Sequence, residues 1–570
     1  MTSFALSRIR VISGLIVLIS LLIIAKLFYV QIIHGNAYAR AADRQYVTPS
    51  GDMFDRGNIL FSGKDGSLVS AATLKSGFKV AIVPRDTINP ESVYQSLNSI
   101  VPLDHDVFIA KAAKKADPYE EVATKLTKEQ ADAIKALYLP GVNLYKENWR
   151  YYPGGDIASP IIGFTAYKGD DFSGRYGLER FYNDILSRTE ENLSVNFFAE
   201  VFSNLRDGVF QSENKEGDVV TSMEPSVERF LENELRTVLE TYHSDSIGGI
   251  VMNPRTGEMY AMAHLPDFDL NDFKNVTNPL IFGNPLVENV YEMGSIMKPL
   301  TMAAGLDAGV VAPTTTYNDK GFVMVDNKKI NNFDLRGRGP GTTMQDVLNQ
   351  SLNTGMVFVA QQLGNQKVRD YLLGYGLGKK TGIDLPGETY GLVKNLESNR
   401  DVEYATAAFG QGIAVTPVET IRALSSLANG GTLVTPHLAT SIQYKGGGSK
   451  KLEYGTEQSK ISPETADRIT QMLVTVFDKA LQGGKFQMEH YSVAAKTGTA
   501  QIANLSDGGY YTDRHLHSFF GYFPAYNPQF AIFLYTVNPK GVKYAAYSLS
   551  DPFVHTVKFL IDYYNIPPDR

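Results

Sequence analysis

The chain has 570 residues, of which 43% are hydrophobic and 20% charged, so it carries ample core material; a disordered or fibrous protein is excluded, and about three domains of ordinary size fit the length. A net charge of −7 argues against a nucleic-acid binder. Cysteine is absent, which excludes a disulfide scaffold, a thiol nucleophile, a thiolate metal site and an iron–sulfur cluster.

Residues 11–25 carry no charge and little polarity, Lys26 interrupts, and 27–33 continue with only Gln31 polar. As a helix, residues 11–33 span about 34 Å, enough to cross a bilayer. Arg8 and Arg10 precede the span, which predicts a cytoplasmic tail over 1–10 and an exported remainder. A cleaved signal peptide competes, because Ala37-Tyr38-Ala39 has the spacing of a cleavage site. That site lies well beyond the apolar stretch, so an uncleaved single-pass anchor is the preferred reading.

Residues 34–60 read as a stalk, with a helix over 36–44 broken at Pro49-Ser50-Gly51. Residues 79–83 read as a strand. Residues 127–137 read as a helix capped by Thr127 and ended by Pro140-Gly141. The charged, turn-rich stretch 213–217 marks a domain boundary. Beyond it, 218–223 reads as a strand and 226–242 as an amphipathic helix, with Val227, Phe230, Leu231, Leu235, Val238 and Leu239 near helical spacing. Two strands follow at 247–252 and 258–264, around the turn Asn253-Pro254-Arg255-Thr256-Gly257. Strands at 519–523 and 530–537 and a helix over 553–564 close the chain. The layout predicts an α+β domain over 218–570 on an elongated module over 34–217.

Three short motifs carry chemistry. Ser295-Ile296-Met297-Lys298 opens a buried helical segment. There the serine and lysine are i and i+3 neighbours, so a desolvated, neutral Lys298 can take the Ser295 proton. Pro299 is tolerable only in a first helical turn, which agrees with that placement. The same spacing at Ser76 and Ser212 is chance: one precedes a strand and the other lies in the charged break. Ser351-Leu352-Asn353 sits between helical segments 344–350 and 356–363, where a hydroxyl and an amide can reach one site. Its bland reading is a helix cap. Lys496-Thr497-Gly498-Thr499 reads as a strand of small residues. Alternation puts Thr497 and Thr499 on one face and Lys496 on the other, so they converge only on a ligand at the strand edge. Gly498 would leave that approach open. The similar Lys380-Thr381-Gly382 leads into a turn and is assigned no chemistry.

In this order, the three motifs form a set shared by penicillin-binding proteins and β-lactamases. The chain resembles a class B penicillin-binding protein over nearly its whole length. Asp55-Arg56-Gly57-Asn58-Ile59 resembles the R-G-x-I motif just after that family's membrane anchor, and Arg150-Tyr151-Tyr152-Pro153 and Gly177-Leu178-Glu179 resemble segments of its pedestal. Phe409-Gly410-Gln411-Gly412 resembles a stretch between its second and third motifs. The S-x-N form looks more like the septal-division branch than the elongation branch. Met293, Ile296 and Leu352 stand where the family often has Pro, Thr and Ser, and none of these removes a reacting group.

The resemblance implies a peptidoglycan D,D-transpeptidase that needs no cofactor or metal. It casts Ser295 as nucleophile, Lys298 as general base, Ser351 as proton relay and Asn353 as the residue orienting Lys298. Lys496 would keep Lys298 neutral, and Thr497, Gly498 and Thr499 would hold the substrate's terminal carboxylate. Backbone N–H groups of Ser295 and Thr499 would form the oxyanion hole. It further implies β-lactam antibiotics as ligands. A separate SEDS-family membrane glycosyltransferase and proteins of a division or elongation complex would be partners. The rivals are a carboxypeptidase or β-lactamase-like hydrolase, which shares the motifs, and a catalytically idle division scaffold. A Ser-His-Asp hydrolase lacks its G-x-S-x-G elbow, and His515-Leu516-His517 alone is a weak case for zinc.

Overall fold

The structure is a computed structural model that describes residues 54–188 and 216–570, except Asp170, Gly446, Leu505 and Asp507. The expected anchor over 11–33, the helix over 36–44 and the break at 213–215 lie outside the described residues. Among the described residues no helix is long and apolar enough to cross a membrane. The chain divides into two compact units. Among the described residues, one holds 54–55 and 74–149, and the other 56–73, 150–188 and 216–570. The segments around Arg56, Arg150 and Glu179 belong with the larger unit.

The strands and helices used below are, in chain order, β1 (Ile59–Ser62), β2 (Leu68–Ile82), α1 (Pro90–Asn98), α2 (His105–Ala112), β3 (Glu120–Leu126), α3 (Lys128–Ala136), β4 (Val142–Tyr151), β5 (Gly217–Thr221), α4 (Pro225–Tyr242), β6 (Ser246–Met252) and β7 (Met259–Leu265). There follow α5 (Lys298–Asp307), α6 (Met344–Asn349), α7 (Asn353–Leu363), β8 (Ala439–Tyr444), β9 (Ser449–Lys451), β10 (Ala494–Ala503), β11 (Tyr510–Phe523), β12 (Phe530–Val537) and α8 (Ser550–Tyr564).

In the smaller unit the second half of β2 pairs with β3 and β4. Val80, Ile82, Leu126, Phe108 and Leu97 form its core with α1, α2 and α3. Each helix is started by a polar cap. Asn89 and Asp104 accept from N–H groups of the first turns of α1 and α2, and Thr127 and Gln130 form a reciprocal capping box on α3.

The larger unit is built on an antiparallel sheet of order β10-β11-β12-β6-β7. Both faces are covered. Ile532, Leu534, Val251 and Phe519 pack with α4 and α8 on one side, while Phe533, Tyr535, Ile250 and Phe520 join the main core on the other. This double burial explains why β12 reads as an unbroken apolar run rather than an alternation. Gly248 and Gly249 on β6 have no room for a Cβ, which would lie 2.6 Å from Tyr535 and 2.9 Å from Leu534. A second sheet runs β9-β8-β5-β1 and into the first half of β2. Here β5 is parallel to β1, with Ile59 beside Val219, and antiparallel to β8.

Beside it three segments remote in sequence meet on one buried carboxylate. Arg56 Nε donates to Glu179 Oε2 at 2.6 Å, and Arg150 Nε donates to Glu179 Oε1 at 2.5 Å. Arg56 also donates to Glu179 O, and Arg150 to Gly57 O. The motif expected just after the anchor and the two segments that resemble the family's pedestal thus meet in one ion cluster.

Candidate active site

The first motif lies on a tight turn followed by α5. Residues Gly294–Met297 form a single 3₁₀ turn, and Lys298 begins the α-helix with Pro299 in its first turn, as expected from the sequence. The turn is held from two sides. Gly294 N donates to Gly410 O at 3.0 Å, and Ser518 Oγ donates to Met293 O at 2.8 Å. The Phe409-Gly410-Gln411-Gly412 segment therefore acts as a backing for the nucleophile's turn. A Cβ on Gly410 would lie 2.2 Å from Gly294 O.

The second motif joins α6 to α7. Ser351 has φ of 53°, a left-handed conformation rare for a residue with a side chain, and it turns the chain so that Asn353 opens α7. The third motif lies on β10, the edge strand of the main sheet. Thr497 and Thr499 are half-buried, while Lys496, Gly498 and Ala500 are buried. The alternation is thus as expected, and the edge position lets both faces serve one site. Gly498 has a different use from the expected one. A Cβ there would lie 2.8 Å from Met293 O and 2.9 Å from Ile296 N, so this glycine admits the nucleophile's turn rather than a ligand.

The three motifs converge. Lys298 Nζ donates to Ser351 O at 2.6 Å and to Asn353 Oδ1 at 2.8 Å, and lies 3.2 Å from Ser351 Oγ. Lys496 Nζ donates to the same Ser351 Oγ at 3.0 Å and to Thr497 O at 2.9 Å. Burial, with the neighbouring Lys496 ammonium adding to it, drives the Lys298 amine well below the usual lysine range. Burial brings Lys496 down to about 7. A neutral Lys298 has two N–H groups for Ser351 O and Asn353 Oδ1, which leaves its lone pair free to act as a base. Among the described residues no hydrogen bond joins the Ser295 hydroxyl to Lys298, so the nucleophile is placed but not yet engaged.

Other supports gave no signal in the sequence. Asn353 Nδ2 donates to Asn331 O at 2.9 Å, which fixes the amide that orients Lys298. Next to it, Asp319 accepts from Thr354 Oγ1, Asn332 Nδ2 and Arg338 N, a buried knot beneath the start of α7. Glu292 accepts from Tyr510 and from Gly412 N, which ties β11 to the segment just before the nucleophile. Met293, Ile296 and Leu352 are fully buried, so these departures from the family pattern lie in the core and not on the cleft wall. His517 is a packing residue: it contacts Ser548 Oγ at 2.7 Å and Lys543 O at 3.1 Å, and burial takes it down to about 4. No group of potential metal ligands occurs among the described residues. The decoy Lys380-Thr381-Gly382 is structural, with the Thr381 hydroxyl donating to Glu388 at 2.6 Å.

Ser295, Ser351, Lys496, Thr497 and Thr499 line one cleft of 980 Å³. A serine on a helix-opening turn, a buried lysine beside it, and a second hydroxyl shared by two lysines make an acyl-transfer centre. The sequence matches the penicillin binding protein transpeptidase domain over residues 247–557 and the penicillin-binding protein dimerisation domain over 55–205.

The chain belongs to the class B penicillin-binding proteins. It is 33% identical to stage V sporulation protein D of Bacillus subtilis, over 95% of this chain and 83% of that protein. It is 25% identical to peptidoglycan D,D-transpeptidase FtsI of Buchnera aphidicola, over 98% of this chain and 95% of the relative. Among solved structures it superposes on penicillin-binding protein 2X of Streptococcus thermophilus with a TM-score of 0.72 at 20% identity, covering 90% of this chain and 81% of that one. Penicillin-binding protein 3 of Mycobacterium tuberculosis, solved with aztreonam, gives 0.69 at 21%, covering 91% and 98%. These two likenesses show the fold. As a class B penicillin-binding protein, the chain is a serine-type transpeptidase with a mixed α+β catalytic domain and a dimerisation-type domain before it.

Proposed function

We propose that the protein cross-links peptidoglycan stem peptides as a D,D-transpeptidase. The observation that carries this reading is the single hydroxyl of Ser351 held between the amines of Lys298 and Lys496. Lys298, kept neutral, takes the Ser295 proton as Oγ attacks the carbonyl between two D-alanines. The backbone N–H groups of Ser295 and Thr499 receive the developing oxyanion. Ser351 passes the proton to the leaving D-alanine amine, which departs as the acyl-serine forms. The hydroxyls of Thr497 and Thr499 and the Lys496 ammonium hold the terminal carboxylate. An amine from a second stem then attacks the ester, giving the cross-link and returning the proton to the site. β-Lactams mimic the donor and stop at the acyl-serine.

Septal wall synthesis is supported by the S-x-N form and by relatives named FtsI. The name of a 33%-identical relative supports a sporulation wall as a second reading. In both, residues 11–33 anchor the chain in the cytoplasmic membrane with the catalytic domain outside, where a SEDS-family glycosyltransferase supplies the glycan strand. The deciding measurement is covalent labelling with a fluorescent penicillin. Wild type takes up one stable label, and Ser295→Ala takes up none. A variant that labels as well as wild type moves the nucleophile elsewhere, and an unlabelled wild type favours the scaffold.

A further inference from the structure

The protein carries a net charge of −7, yet its catalytic cleft is lined by Lys328, Lys329, Lys496 and Lys543 and by no Asp or Glu among the described residues. One terminal carboxylate occupies Lys496. The other three lysines are exposed, so the cleft presents positive charge to an anionic ligand.

Their places are fixed by the strand register. On β10 and its neighbour β11, Thr499 stands opposite His517 and Gln501 opposite His515. The segment carrying Lys543 runs alongside: Lys543 O lies 3.1 Å from His517 Nε2, and Ala545 N donates to Thr499 Oγ1 at 3.0 Å. Gln501, His515 and Lys543 thus surround the part of the cleft about 7 Å beyond Thr499, two residues along the strand. Lys543 lies 5.4 Å from the Tyr544 ring and makes no ion pair among the described residues. The Lys543 ammonium is close enough to act on His515, and Asp513, which acts on it in the opposite sense, is outside the cleft lining.

We propose that Lys543, with His515 and Gln501, forms a second carboxylate subsite that reads the side chain of the donor residue preceding D-Ala-D-Ala. The inference rests on the transpeptidase reading. A donor extended antiparallel to β10, with its terminal carboxylate at Lys496 and Thr497, brings that residue beside Gln501. The subsite fits a side chain ending in an amino-acid group, as in diaminopimelic acid, better than the plain amine of lysine. The two differ by one carboxylate on the terminal carbon.

The test uses the full-length protein and two synthetic donors, Nα-acetyl-X-D-Ala-D-Ala, with X either meso-diaminopimelic acid or L-lysine. The readout is the ratio of their kcat/KM values for release of D-alanine. Wild type favours the diaminopimelic donor by about fivefold, the upper end of the scale for an exposed charge pair. Lys543→Gln brings the ratio to about one, and Lys543→Arg retains the preference. A wild-type ratio near one, or a Lys543→Gln ratio equal to the wild-type value, overturns the subsite while leaving the transpeptidase reading intact, provided wild type takes the penicillin label. Absence of that label overturns both.

Discussion

The chemistry at Ser295 depends on how protons divide between two buried lysines 3.2 and 3.0 Å from one hydroxyl. Lys298 has the more strongly lowered amine, because it feels both burial and the Lys496 charge, so it gives up its proton first as pH rises. Lys496 follows at about 7. Activity should therefore rise as Lys298 becomes neutral and fall as Lys496 loses the charge that binds the carboxylate. In kcat/KM, which reports the free enzyme, the alkaline limb falls near 7. A bound carboxylate stabilises the Lys496 ammonium, so in kcat that limb moves to higher pH. Lys496→Arg keeps its charge throughout and removes the alkaline limb, whatever its absolute rate. A pH profile of donor hydrolysis for both proteins checks this; an alkaline limb near 7 that survives in Lys496→Arg assigns it to another group. These reacting residues were legible in the sequence because side-chain chemistry is written there residue by residue. Their supports were not. The left-handed Ser351, the Asn331 carbonyl under Asn353 and the close fit of Gly498 against Met293 are properties of backbones brought together from far apart.

At the scale of elements, α4 shows where periodicity informs and where it misleads. The apolar stripe through Val227, Leu231, Leu235 and Val238 identifies the helix, and Glu224 caps it as Pro225 starts it. The stripe also implies that Glu228 and Glu232 are solvated. They are buried, because a second layer covers that flank: Glu228 Oε2 accepts from Met262 N at 2.7 Å, and Glu232 Oε1 from Ala158 N at 2.8 Å. Burial raises both carboxyls, Glu232 to about 7 and Glu228 well above the carboxylate range. A carboxyl raised in the folded state binds more protons there than in the unfolded chain. Its contribution is complete below about 4.5 and is lost as pH rises through the folded value. From pH 5 to 8 the protein should accordingly lose Tm, by about 4 °C from this pair. Glu228→Gln/Glu232→Gln should flatten that slope, as followed by calorimetry at a series of pH values. An equally steep slope in the double variant places its origin elsewhere. Strand edges show the same limit of sequence reading: 519–523 is only the inner end of β11, because its outer half is polar and is recruited by pairing with β10.

At the scale of the whole molecule, the ion cluster around Glu179 decides how the chain closes on itself. Its members are separated by 123 and 29 residues, and their resemblance to known segments was visible in the sequence while their meeting was not. Arg56, Arg150 and Glu179 are all nearly solvent-free, and Glu179 serves both guanidiniums at once. Removing the carboxylate leaves two buried cations facing each other. Glu179→Ala should then cost about 3–5 kcal/mol, the usual penalty for an orphaned buried charge. Replacing the whole cluster behaves differently, because no charge is left without a partner. Arg56→Met/Arg150→Leu/Glu179→Leu should recover most of that loss, although the Gly57 and Glu179 carbonyls that accept from the arginines lose their donors. Denaturant unfolding of the three proteins separates the possibilities. If the triple variant is as unstable as Glu179→Ala, the cluster's hydrogen bonds rather than its charge balance hold these segments together. If Glu179→Ala is as stable as wild type, the segments close by packing alone, through Ile59, Tyr152 and Leu178 of the main core.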